Sequence, residues 1–289
     1  MTIREALKLS SDLPRLDREV LLSQVLRKGR LFLATHDEVA LSPSQLKRYR
    51  SLLSRAGKNE PIAYIVGEKE FYGRMFHVGK GVLIPRPETE LIVEHTMESI
   101  SKRSQKKISR AVIDVGTGSS AIITSIYLSL SSSQRKKIDW YALEKELAAL
   151  HYARKNLKRH RIGRSIILRK SDLLARIEKK LTQYDELFII ANLPYLSTSL
   201  YRSTAPNVQA FEPESALVSG NDGLTHYRAL METLLRLRKN GKIVHFSFEI
   251  SPEQHSPVLE WLTPLTEDGS LIILPDLAER DRIVSGTLR

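Results

Sequence analysis

The sequence predicts an α/β protein, a mostly parallel sheet with helices on its faces, preceded by a small all-α domain. Two observations predict the sheet and a third predicts the domain ahead of it. Short apolar runs recur at residues 111–113, 137–143, 165–168, 187–190 and 242–249, separated by helix-patterned stretches. Several of these runs end in a polar residue, and ligands of open α/β sheets collect beyond the strand ends. Residues 1–65 carry helical spacing instead.

In order along the chain, Leu16, Val20, Leu21 and Val25 recur at helical spacing, and Lys28-Gly29 closes that segment. Ser42-Pro43-Ser44-Gln45 opens a second helix as a capping box with proline in the first turn, and Gly57 ends it. Phe71-Tyr72-Gly73 and Met75-Phe76-His77-Val78 predict two short strands, followed by a linker helix from Leu91, so that 66–109 forms a connecting unit. Between them, Pro85 and Pro87 stiffen the loop that presents Arg86. Glu88 and Glu90 suit the positive end of the helix that follows. The main domain is expected over 110–289. Its elements are strand 111–113, helix 121–130, strand 137–143, helix 146–159 and strand 165–168, then a helix from Leu174. Strand 187–190, a long loop over 211–224, a helix, strand 242–249, helix 252–262 and strand 270–274 follow. Asp276 to Val284 ends the chain with a last strand.

The bulk composition bounds the function. At 289 residues with 42% hydrophobic and 27% charged residues, the chain reads as an ordinary globular protein. It has no apolar run of the roughly 18 residues a membrane helix needs, and Met1-Thr2-Ile3-Arg4-Glu5 lacks a signal-peptide pattern. Zero cysteines excludes disulfides, thiolate metal sites and a cysteine nucleophile. The eight histidines show no paired ligand spacing, so no metal is expected. A cytoplasmic monomer fits these features. The net charge of +12 points to an acidic partner, either nucleic acid or a ribosome-associated protein. Much of it sits in Lys102-Arg103, Lys106-Lys107, Arg135-Lys136-Lys137 and the stretch from Arg154 to Arg161.

The chemistry-bearing stretch is Ala191-Asn192-Leu193-Pro194-Tyr195, directly after the strand 187–190. The Asn192 side-chain oxygen and the Leu193 carbonyl, held by the rigid Pro194, can accept both hydrogens of one planar NH2 group. Tyr195 offers that group a flat face. The same residues also suit a plain strand-to-loop turn. Further candidates stand at the ends of preceding strands. Gly116 and Gly118, within Asp114-Val115-Gly116-Thr117-Gly118-Ser119-Ser120, let the backbone approach a ligand at a helix N-terminus. The last glycine of the dinucleotide fingerprint is missing. Glu144 ends the second strand, where an acid can accept from both hydroxyls of a ribose. Asp172 can reach an adenine amino group while Leu173 packs on the ring. Each also reads as ordinary helix-start chemistry; together they outline one nucleoside pocket.

These motifs resemble the protein-glutamine N5-methyltransferases that act on peptide chain release factors. The resemblance spans nearly the whole chain. It rests on Leu83-Ile84-Pro85-Arg86-Pro87-Glu88-Thr89-Glu90, the Asp114–Ser120 loop, Asn192–Tyr195, the 211–224 loop with Glu212-Pro213 and Asp222-Gly223-Leu224, and the Asp276–Val284 ending. It implies a seven-stranded, Rossmann-like class I methyltransferase domain that binds S-adenosylmethionine and serves translation termination. Gly116, Thr117, Gly118, Ser119 and Ser120 would line the methionine part, Glu144 the ribose, and Asp172 and Leu173 the adenine, with Asn192 reaching the methyl. Asn192, Leu193, Pro194 and Tyr195, with Arg86 and Glu88, would take the glutamine of a Gly-Gly-Gln tripeptide. The implied partner is a release factor, favoured over direct nucleic-acid binding. Three residues depart from the family pattern: Ser120 for glycine, expected to bring a Cβ toward the cofactor, Glu144 for aspartate, and Leu193 for proline. Two readings compete. A ribosomal-protein glutamine methyltransferase would share every motif, and Asn-Leu-Pro-Tyr is similar to the motif of ribosomal RNA adenine dimethylases. The helical domain and the Pro85–Glu90 segment argue against the RNA enzyme.

Overall fold

The computed structural model describes residues 1–103 and 108–289; the Lys106-Lys107 run lies outside them. The chain begins with helices α1 (Ile3–Ala6), α2 (Arg15–Leu26), α3 (Arg30–Thr35), α4 (Pro43–Ala56) and α5 (Ile62–Val66). Helix α4 starts as its sequence dictates. Ser42 Oγ accepts the Gln45 N–H at 3.2 Å and the Gln45 side chain accepts the Ser42 N–H at 2.8 Å, satisfying two donors that a helix start would leave orphaned. Leu21, Leu22, Tyr49 and Leu53 form a separate core among these helices.

A hairpin follows, β1 (Glu68–Phe71) and β2 (Arg74–His77). Its turn is Tyr72-Gly73, both at positive φ (52° and 67°), the geometry whose twist matches paired strands. Tyr72 therefore leaves the strand in which its aromatic ring would place it. Helix α6 (Glu90–Arg103) then leads to the main sheet.

The sheet and the helices around it comprise β3 (Arg110–Val115), α7 (Ala121–Ser129), α8 (Ser132–Arg135), β4 (Ile138–Glu144), α9 (Leu147–Arg159), β5 (Ile166–Lys170), α10 (Glu178–Leu181) and β6 (Glu186–Ala191). They continue with α11 (Thr198–Arg202), α12 (Pro206–Phe211), α13 (Thr225–Lys239), β7 (Ile243–Glu249), α14 (His255–Leu262), β8 (Ile272–Pro275) and β9 (Asp281–Thr287). The seven strands lie in the order β5-β4-β3-β6-β7-β9-β8. The first five are parallel, and β9 enters antiparallel between β7 and β8. Every residue of β3 and β6 is buried, as expected of parallel strands covered on both faces.

Register positions the site. Val115 pairs with Leu143 and Ala191, and Ala191 pairs with Phe248. Gly116, Glu144, Asn192 and Glu249 therefore leave the sheet at one level, on both sides of the β3–β6 switch point where the chain reverses its strand order.

Two segments differ from the sequence reading. The helix expected from Leu174 begins at Glu178, because Leu173 takes a left-handed φ of 46° and Ser171 Oγ accepts the Arg176 N–H at 3.2 Å, closing a turn instead. The closing strand covers 281–287 rather than beginning near Asp276, whose carboxylate accepts from the backbone N–H groups of Ala278 and Arg280. Among the described residues no helix is long and apolar enough to cross a membrane.

Candidate active site

One cleft lies across the level strand ends. Gly116, Thr117, Gly118, Ser119, Glu144, Asp172, Leu173, Asn192, Leu193 and Pro194 line it, with Phe71, Val82 and Ile122 as apolar wall. Its space, counted with its opening to solvent, is about 990 Å³, and an apolar wall with a few converging polar groups is the make-up of small-molecule sites.

At the first strand end, Gly116 has φ +72°, and a Cβ built there would meet Leu193 Cδ2 at 2.8 Å. The left-handed φ favours glycine, and its bare Cα leaves room for the Leu193 side chain against the β3 turn. The turn is then fixed from below. Thr117 Oγ1 donates to Asp114 Oδ2 at 2.6 Å, and the Thr117 N–H donates to the Leu143 carbonyl at 2.8 Å. Burial pushes the Asp114 carboxyl up to about 7.

Glu144, at the end of β4, is almost fully buried. Its Oε2 accepts the Gly118 N–H at 2.9 Å, and its Oε1 accepts the Lys145 and Glu146 N–H groups at 2.8 and 2.9 Å. Burial pushes its carboxyl up, against these donors, which favour the ionised form. A carboxylate accepts about four hydrogen bonds, so three backbone donors leave capacity for a hydroxyl in the cleft. The extra methylene relative to aspartate lets the carboxylate reach the glycine loop. Asp172 is different: its side chain is 61% exposed and pairs with Lys145 Nζ at 3.1 Å.

Asn192 is held by partners outside its own motif. Its Nδ2 donates to Glu249 Oε2 at 2.9 Å and to Thr89 Oγ1 at 3.2 Å. Thr89 Oγ1 spends its own proton on Glu249 and can only accept from Asn192, so Thr89 and Glu249 together fix which end of the amide is nitrogen. Asn192 Oδ1 and the Leu193 carbonyl oxygen have no hydrogen-bond partner among the described residues. Glu249, at the end of β7, is 1% exposed. It also accepts from Thr89 Oγ1 at 2.6 Å and from the Tyr195 hydroxyl at 3.1 Å. Burial pushes its carboxyl up, opposed by the Thr89 and Tyr195 hydrogen bonds. The buried Tyr227 hydroxyl completes the frame, accepting the Leu193 N–H at 3.2 Å and donating to the Glu249 backbone carbonyl. Behind the loop, Gly223 has φ +76°, and a Cβ there would meet the Tyr195 carbonyl oxygen at 2.0 Å. Gln254 Nε2 ties that carbonyl to the Asp222 carbonyl at 3.0 Å each.

Four expected site residues stand outside the cleft wall. Ser120 is fully buried with φ 63°, and its Oγ lies 3.5 Å from the Ala153 carbonyl on α9. The left-handed turn aims its Cβ at that helix, so the serine does not crowd the cleft. Tyr195 packs its ring against the sheet core and donates its hydroxyl to Glu249. Arg86 donates to the buried Glu212, whose other oxygen accepts the Ile84 N–H at 3.1 Å. This ties the Leu83–Glu90 segment to the 211–217 loop. Glu88 faces Arg280 at 3.7 Å. Glu249, Thr89, Tyr227 and the tie through Glu212 escape motif reasoning. For Glu249 a signal existed, an acid ending a buried strand, as at Glu144.

Known proteins match this chain over most of its length. Residues 2–67 match the PrmC N-terminal domain, and residues 79–246 match the N-6 DNA Methylase family. The release factor glutamine methyltransferase of Rhodopirellula baltica is 35% identical over 282 residues, 96% of this chain and 90% of the relative. That of Clostridium botulinum is 31% identical over 272 residues, 93% of this chain and 90% of the relative. The N-terminal domain of human METTL16, solved in complex with SAH, shares the fold with a TM-score of 0.54 over 96% of each chain at 16% identity.

Proposed function

The chain belongs to the release factor glutamine methyltransferase family, and from that premise we propose that it methylates the side-chain amide nitrogen of the Gly-Gly-Gln glutamine in a cytoplasmic peptide chain release factor. The observation that carries this reading is the pair of unpartnered oxygens, Asn192 Oδ1 and the Leu193 carbonyl, beside a nitrogen end already committed to Glu249. Two acceptors on neighbouring residues fit the two N–H bonds of one primary amide.

The cleft fits S-adenosylmethionine. Gly116 gives the close backbone approach, Glu144 has spare acceptor capacity for a ribose hydroxyl, and Leu173 with Asp172 supplies an apolar face beside an acceptor for an adenine amino group. When bound, that cofactor supplies an electrophilic methyl on a sulfonium sulfur.

The protein's own contribution is orientation and electrostatics. An amide nitrogen is a weak nucleophile because its lone pair is delocalised into the carbonyl. Asn192 Oδ1 and the Leu193 carbonyl accept both N–H bonds and hold the nitrogen in one orientation. Their partial negative charge also stabilises the positive charge that grows on nitrogen as its bond to carbon forms. The methylated nitrogen then gives up one N–H proton to water, leaving a neutral N-methyl amide. Glu249, Thr89 and Tyr227 act through Asn192 and Leu193 as positioning residues. Residues 1–65, with a core of their own, are assigned to recognition of the release factor body.

The test offers labelled S-adenosylmethionine and, in separate reactions, a release factor, ribosomal protein and ribosomal RNA. Label on the release factor glutamine supports the reading. Label on RNA alone would overturn it in favour of an adenine amino group, which the same two acceptors could hold.

A further inference from the structure

The charge of the chain is concentrated. Residues 147–183 contain eleven Lys and Arg against two acids, a net +9, while the rest of the chain carries +3. The eleven are Arg154, Lys155, Lys158 and Arg159 on α9, Arg161 and Arg164 in the loop after it, Arg169 and Lys170 on β5, and Arg176, Lys179 and Lys180 on and before α10. All are exposed. Among the described residues only Arg159 forms an ion pair, with Glu68. The two acids of the stretch are engaged elsewhere, Asp172 with Lys145 and Glu178 with Arg236.

The fold gathers these charges on one side. β5 is the edge strand, α9 covers the face of the sheet that carries Trp140 and Ala142, and α10 covers the face that carries Tyr141 and Leu143. The cations thus wrap the sheet edge from both flanks. On α9 the four cations fall between Arg154 and Arg159, about 8 Å of helix at a rise of 1.5 Å per residue, and Arg161 and Arg164 extend the run into the following loop. Two cations on β5 would suffice to deter edge-to-edge strand pairing; eleven across the strand, both flanking helices and their loops exceed that need. Neighbouring groups register the field: beyond the effect of burial, Lys155 and Arg159 help hold the His77 imidazole below its ordinary range.

We propose that this sheet edge is a docking surface for the phosphate backbone of double-helical RNA, distinct from the methyl-transfer cleft. A polyanion fits better than an acidic protein, because the strip presents charge without the exposed Trp, Tyr or Phe that would build the apolar centre of a protein interface around its arginines. The same lack of stacking surface favours a base-paired helix over an unpaired strand. A duplex presents one charge per about 1.7 Å of axis, so even the roughly 8 Å of α9 that carries cations faces several phosphates. Choosing RNA over DNA rests on the reading that the substrate is a translation factor.

The test uses the full chain and a labelled RNA hairpin, followed by fluorescence anisotropy across salt concentrations. One variant reverses charge (Lys155→Glu, Lys158→Glu, Arg161→Glu, Arg164→Glu), and a second neutralises the same positions with Gln, guarding against misfolding of the first. Wild type should bind with steep salt dependence. Both variants should lose at least about tenfold in affinity, with the salt slope shallower by about one per phosphate contact removed. Methylation of free release factor should stay within about twofold, so failure of RNA docking and failure of the methyl-transfer reading give separate results. Undiminished hairpin binding by both variants, or tighter binding of duplex DNA than of duplex RNA, would overturn the proposal.

Discussion

The two ends of the cleft are built differently. At the Asn192 end every polar group that sets the geometry is braced by a buried partner: Glu249 is 1% exposed, Tyr227 is buried, and Thr89 bridges both Asn192 and Glu249. At the Asp172 end the side chain is 61% exposed and its ion pair with Lys145 is a surface contact. In the reading proposed above, the first end orients an atom that reacts, where a small misplacement is costly in rate. The second end recognises a ring that only has to be held.

That contrast ranks the outcomes. Asn192→Ala removes one of the two acceptors and should lower kcat by about 10²-fold or more while cofactor affinity, measured by calorimetry, changes little. Glu249→Gln keeps the volume but puts an NH2 in reach of the Asn192 amide, so that Asn192 can turn its oxygen inward. A loss of about 10- to 100-fold in kcat is expected, with an unchanged unfolding midpoint separating this from a folding defect. Asp172→Asn, at the exposed end, should weaken cofactor binding only about two- to threefold, since exposed charged contacts are worth roughly 1 kcal/mol or less. A tenfold or larger loss there would erase the contrast. Ser120→Gly should leave activity alone and raise stability in urea unfolding by about 1 kcal/mol, because serine pays for its left-handed φ of 63° and glycine does not.

How much of this was legible in the sequence follows from the range of the interactions. Asn192, Leu193, Glu144 and the glycine loop are readable because each sits just past an apolar run, and parallel pairing then brings the strand ends level. The partners of Asn192 are not readable that way. Glu249 lies 57 residues downstream and Thr89 103 residues upstream, and only the β6–β7 pairing and the packing of the 83–90 segment bring them together. Arg86 illustrates the opposite case. Two flanking prolines mark it as presented, but the group it is presented to is the protein's own Glu212. Ser120 shows that a departure from a family pattern can be placed correctly and its direction missed, since the φ of one residue decides whether a Cβ meets the cleft or the helix behind it.

The central claim is that Glu249 acts on the reaction through the orientation of Asn192, and a double-mutant cycle under single-turnover conditions tests it directly. If Asn192 Oδ1 is the working acceptor and Glu249 serves to aim it, Glu249→Gln should cost about 10- to 100-fold in the wild-type background and almost nothing further in the Asn192→Ala background. Losses that simply multiply would show that Glu249 works independently of Asn192 and would contradict the account.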